Sequence, residues 1–195
     1  MKKYLILASK SRRRARILSS CKIKYKVYAT DAYENIKHKN GVTALVIKNA
    51  RAKAEAAARH YKKHIILAVD TLVLLKGKII GKPKNKKHAF KMLKSLSNSI
   101  VYVYTGLYLL DTFKGKRASC IDKTKIRTAK IDAKNINKFF NHLGPYDKAG
   151  GFTIEGLGAV LFDNIDGSYF NVLGLPVNKL NTLLKKINSN IFEFI

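Results

Sequence analysis

Five consecutive residues near the start, Tyr4-Leu5-Ile6-Leu7-Ala8, form an apolar run that ends at Ser9. A run with no polar alternation is what a strand covered on both faces requires, so it is expected at the centre of a sheet. The next stretch fits that placement. Ser9-Lys10-Ser11 makes a short polar loop, and residues 12–20 bring Ala15 and Leu18 back at helical spacing, with Ser11 placed to cap the first turn. The chain therefore opens as strand, polar loop, helix.

A second helix is expected over residues 43–60, where Val46, Ala50, Ala54 and Ala57 share one face. Residues 65–75 form another apolar run broken only by Asp70 and Thr71, and the Lys76-Gly77 turn leads into Lys78-Ile79-Ile80 as a hairpin. Asn85 caps a helix bearing Ala89, Met92, Leu93 and Leu96, after which residues 100–110 and 121–128 alternate as paired strands. Residues 134–143 read as a helix closed by Gly144-Pro145. Residues 159–165 and 169–173, joined by Asp166-Gly167, read as a second hairpin. A last helix over 177–187 and an apolar tail, 191–195, complete the pattern, and the tail is expected to pack. Without repeat or linker, the 195 residues read as one mixed α/β domain with a largely antiparallel sheet.

Charge narrows the partners. Lys and Arg number 39 against 12 Asp and Glu, a formal net charge of +27, so an anionic partner is expected: nucleic acid, acidic lipid or a phosphorylated small molecule. Only 8 of the 39 are Arg, and the 31 Lys are spread along the chain rather than gathered in one basic arm, which is the distribution of a solvated surface. Cys21 and Cys120 stand far apart, outside any zinc-type or disulfide spacing. The opening apolar run meets Arg12, Arg13 and Arg14 too soon for a signal peptide, and no stretch approaches a membrane span. A cytoplasmic protein without a membrane partner is the expectation.

Five places could carry chemistry. The first loop sets hydroxyls, free backbone N–H groups and guanidinium forks together, as an anion site would; a surface helix with snorkelling arginines would have the same sequence. Asp70 emerges from a buried strand, where a charge costs several kcal/mol unless it is paired, solvated or metal-bound; a hydrogen-bonded strand-end Asp is the plainer alternative. In Gly81-Lys82-Pro83 the proline would stiffen a loop presenting Lys82 to an anion. Lys53 lies on or beside the alanine face of the second helix, where it either snorkels or reaches a buried anion. Glu34 stands in a polar stretch and by itself reads as a surface residue.

Taken in order and spacing, these pieces resemble the motifs of the Maf nucleotide pyrophosphatase family over nearly the entire chain. The family's opening Ser-x-Ser-Pro-Arg-Arg stands here as Ser9-Lys10-Ser11-Arg12-Arg13-Arg14. Glu34, Lys53-Ala54, Ala68-Val69-Asp70-Thr71, Gly81-Lys82-Pro83 and Thr105-Gly106 follow, then Asp147-Lys148-Ala149-Gly150, Gly156-Leu157-Gly158-Ala159 and Asn171-Val172-Leu173-Gly174-Leu175-Pro176. The resemblance implies an elongated inosine triphosphatase-like α/β fold with two lobes and a central cleft, residues 188–195 forming a tail, usually as a homodimer. It implies cleavage of nucleoside triphosphates to monophosphate and pyrophosphate with Mg²⁺ or Mn²⁺. In that picture Asp70 is the proton acceptor and, with Glu34, lies beside the metal. Ser9, Arg13, Arg14, Lys53 and Lys82 grip the triphosphate, while the positions of Arg13, Thr71 and Glu155 set base preference, dTTP and UTP or modified pyrimidine nucleotides being the indicated substrates.

Three positions depart from the pattern. Arg12 replaces a proline, Val101 a histidine, and Glu155 the glutamine of Ile-Gln-Gly, so that an amide able to donate and accept becomes a carboxylate that only accepts when ionised. Two rival readings remain at this level. A basic nucleic-acid-binding module would stack bases on Tyr102, Tyr104 and Tyr108, which alternate along one strand and equally suit one face of a half-buried sheet. A septation regulator keeping the fold without essential catalysis is the other.

Overall fold

The structure, a computed structural model, describes residues 4–34, 41–143, 151 and 153–195. Its elements are β1 (Leu5–Ala8), α1 (Arg12–Ser20), β2 (Tyr25–Tyr28), α2 (Val42–Ala58), β3 (Ile65–Leu75), β4 (Lys78–Ile80) and α3 (Lys86–Leu96). Then come β5 (Ile100–Asp111), β6 (Arg117–Thr128), α4 (Ile136–His142), β7 (Phe162–Asp166), α5 (Tyr169–Leu173) and α6 (Val177–Lys186). Single 3₁₀ segments lie at Gly156–Leu161 and Ile191–Phe194. The strands form one mixed, mostly antiparallel sheet in the order β2-β1-β3-β5-β6-β7, with β4 paired to β3.

The opening run does what its composition requires. β1 lies between β2 and β3, parallel to both, and Leu5, Ile6, Leu7 and Ala8 are all fully buried. Burying each of the larger three contributes about 1.5–3 kcal/mol, enough to make this strand the anchor of its surroundings. It ends where the polar loop must begin, and Ser11 caps α1 by accepting from the Arg14 N–H.

The chain divides into two compact units. The first comprises Met1–Asp70, Thr105–Asp122 and Gly174–Ile195; the second comprises Thr71–Tyr104 and Lys123–Leu173. In the first, the alanine face of α2 packs Ala50, Ala54 and Ala57 on Ile6, Ala8, Ile66, Ala68 and Tyr108. Small side chains let the helix sit low on the sheet, and Gly106 takes this furthest. A Cβ there would lie 2.7 Å from the Val46 carbonyl carbon and 2.8 Å from its oxygen. Those neighbours are helix backbone, which cannot swing aside. Gly106→Ala is therefore expected to push α2 off the strand at a cost of about 1–3 kcal/mol, read as a lower Tm. The second unit has its own core, where α3 and α4 lay Met92, Leu93, Ile136 and Phe140 over Val73, Val101, Val103 and Ile126.

Most predicted elements stand within two or three residues of their expected bounds, and the apolar tail packs through Phe194, whose carbonyl accepts from the Lys24 N–H. Two readings need correction. Residues 169–173 are not the second arm of a hairpin but α5, and β7 pairs antiparallel with β6. The cause is local: Ser168 Oγ accepts from the Asn171 N–H, starting a helical turn, and the Asn171 amide is buried, donating to Val103 O and Thr124 Oγ1. The other is β2, a four-residue edge strand with Lys26 and Val27 exposed, too short and polar to signal itself. Gly144-Pro145 and Asp147-Lys148-Ala149-Gly150 lie outside the described residues. Both described cysteines are free, and burial pushes the Cys120 thiol up. Among the described residues, no helix is long and apolar enough to cross a membrane.

Candidate active site

The first unit gathers its charged groups at the C-terminal end of β1 and at Asp70, midway along β3. Asp70 is the last of five consecutive buried residues in β3 and is 3% exposed. Such a carboxylate survives only with partners. Two come from one face of α2: Lys53 Nζ donates to Oδ1 at 2.8 Å, and Asn49 Nδ2 donates to Oδ2 at 3.0 Å. The four-residue spacing of Asn49 and Lys53 stacks them on successive turns, so both reach the same carboxylate.

Lys53 joins more than one acid. Its ammonium is also 2.8 Å from Glu34 Oε1 and 3.3 Å from Val69 O. An ammonium has three N–H donors, and these acceptors match them. Lys53 thus holds two carboxylates in one small volume, where they would otherwise repel. The Asp70 end of this chain is buried, whereas the Glu34 side chain is 57% exposed.

The opening loop supplies the cations. Arg14 is buried; its Nε donates to Gly174 O at 2.9 Å and Nη1 to Ser9 Oγ at 2.9 Å. Burial pulls the guanidinium down from its ordinary value, the charges of Asp70 and Glu34 push it back up, and Arg13 adds to the downward pull. Ser9 Oγ also accepts from the Ser11 N–H at 3.2 Å. With both lone pairs engaged, the Ser9 O–H is left to donate, the polarity an anion needs. Gly174 has a φ of 95°, which favours glycine, and its carbonyl accepts from the buried guanidinium.

Ser9, Arg13, Arg14, Glu34, Lys53 and Asp70 are therefore drawn together in the first unit. Lys82, Thr71 and Glu155 belong to the second. Lys82 is exposed in the segment between β4 and α3, beside half-buried Pro83. Thr71 follows Asp70 along β3 and is half-buried. Glu155 is exposed, and its carboxylate accepts from Thr153 Oγ1 at 3.0 Å. Asn49 was not among the residues expected from sequence. Its signal was available, since it lies on the stripe of Val46, Ala50, Lys53, Ala54 and Ala57.

The paired acids suit a hard divalent cation. Carboxylate oxygens are the donors Mg²⁺ and Mn²⁺ prefer, and both acids reach one ammonium at 2.8 Å. Among the described residues, no group of three or more His, Cys, Asp or Glu could hold a metal. Mg²⁺ is commonly held through one or two carboxylates, with phosphate oxygens and water completing the shell, and two carboxylates are what Glu34 and Asp70 offer.

Fold and site together describe a mixed α/β protein with a caged acid beside arginines, the class that handles anionic phosphoesters. The comparisons make the class particular. The chain matches the family described as Maf-like protein over residues 4–187, and it belongs to that family. It is 37% identical over 193 residues to a dTTP/UTP pyrophosphatase of Clostridium botulinum (strain Kyoto / Type A2), covering 97% of this chain and 100% of that one. It is 34% identical over 192 residues to a protein of the same name from Dictyoglomus thermophilum, covering 98% and 100%. Among solved structures it is similar to the Ham1 protein of Staphylococcus aureus, with a TM-score of 0.54 at 17% identity, over 95% of this chain and 100% of that one. That likeness concerns the fold.

Proposed function

We propose that this protein hydrolyses nucleoside triphosphates, dTTP and UTP foremost, to the monophosphate and pyrophosphate. The observation that carries this is the Asp70 carboxylate, buried and held by Lys53 and Asn49 near Arg14, in a chain whose relatives bear the name dTTP/UTP pyrophosphatase. Water attacks the α-phosphorus, the bond from that phosphorus to the bridging oxygen breaks, and pyrophosphate leaves. Asp70 orients the water and accepts its proton. Glu34 and Asp70 would hold Mg²⁺ or Mn²⁺, which supplies charge stabilisation to the phosphate oxygens when bound. Ser9, Arg13, Arg14, Lys53 and Lys82 bind the triphosphate, and Lys53 also keeps the two acids together. Arg13, Thr71 and Glu155 set base preference. The protein works in the cytoplasm as a homodimer, as the family resemblance implies.

The nucleic-acid reading is the weaker one. Tyr108 is 6% exposed within the alanine-lined core, so it offers no face to a base, and Lys123 lies over the rings of Tyr102 and Tyr104. Purified protein with Mg²⁺ or Mn²⁺ and a panel of triphosphates is expected to release pyrophosphate and no orthophosphate, fastest from dTTP or UTP. Orthophosphate as the sole product, or tight DNA binding without turnover, would refute the proposal.

A further inference from the structure

Asn49 is 3% exposed in the middle of α2, a poor place for an amide. Asparagine is among the weaker helix formers, and burying a polar side chain costs free energy unless it is hydrogen-bonded. An apolar residue would continue the surface made by Ala50 and Ala54. What the amide supplies is a donor 3.0 Å from Asp70 Oδ2, on the oxygen that Lys53 does not take.

We propose that Asn49 is a positioning residue for the reaction, fixing the plane of the Asp70 carboxylate so that it faces the attacking water correctly. This rests on the function proposed above. The torsion that turns a carboxylate is broad and roughly two-fold, so one anchor at Oδ1 leaves the group free to rock about that contact. A second donor at the other oxygen, from the same helix face one turn away, removes that freedom. A neutral donor does so without adding charge: a second ammonium would weaken the carboxylate as a proton acceptor, and a second acid would repel it. In the proposed chemistry Asn49 acts through Asp70.

The test is a cycle of Asn49→Leu, Asp70→Asn and the double variant, with dTTP or UTP and Mg²⁺. Asn49→Leu is expected to lower kcat about 10- to 100-fold, with KM within about threefold of wild type. In the Asp70→Asn background, the same change is expected to cause no further loss. A raised KM with unchanged kcat, or the full loss repeated in the Asp70→Asn background, would overturn the proposal. Asn49→Ala, which adds no bulk, carries the same comparison if leucine does not fit. Should the wild-type protein release no pyrophosphate, the functional reading fails on its own. The Asn49–Asp70 link is then read from thermal unfolding, where the two single-variant Tm shifts are expected to miss additivity by about 2–4 °C. Strict additivity would sink the link itself.

Discussion

Asp70→Asn is expected to lower pyrophosphate release by about 10²- to 10⁴-fold while leaving a folded protein, the range a positioned proton acceptor commonly contributes. The substitution keeps the shape and removes the basic oxygen. Lys53 retains Glu34 and the Val69 carbonyl, so its ammonium is not orphaned. The stability cost is accordingly about 1–3 kcal/mol, that of one charge-assisted hydrogen bond. Turnover by coupled pyrophosphate assay and Tm from circular dichroism separate the two effects. A variant with near-native turnover would show that the proton goes elsewhere.

Lys53→Met should do more damage to the fold. It removes one partner of a buried pair and leaves Asp70 held by the neutral Asn49 amide, an arrangement that costs about 3–5 kcal/mol. For a domain of this size that is a fall of about 6–20 °C in Tm. Activity falls with it, because Glu34 and Asp70 lose the charge that lets them share one volume. Glu34→Gln provides the contrast. Its carboxylate is 57% exposed, so its pairing with Lys53 is worth at most about 1 kcal/mol. Near-equal Tm values for the two variants would contradict the description of Lys53 as a buried clasp.

The parts of this fold written in side-chain periodicity were legible in the sequence. β1, α1, β3, the turn into β4 and the Asn85-capped α3 each carry a pattern long enough to outweigh alternatives. Where the outcome rests on a few particular hydrogen bonds, the pattern misleads. The Asp166-Gly167 pair reads as a hairpin turn, yet Ser168 and the buried Asn171 amide start a helix in its place. The site shows the same division. Asp70 stands out because a charge interrupts a buried run. Asn49 does not, because an asparagine on a helix is by default a surface residue and its partner lies 21 residues away. Lys53 was visible as a cation, but its links to Glu34, Asp70 and the Val69 carbonyl depend on tertiary geometry that sequence does not carry.

The bond from Arg14 to the carbonyl of Gly174 spans 160 positions of the chain. During synthesis the opening turn leaves the ribosome long before that acceptor exists, so the buried guanidinium must wait for almost the whole polypeptide. A message truncated ahead of codon 174 would yield a product with both arginines present and no frame to seat them. The tie to Ser9, five residues away, is open to Arg14 before then.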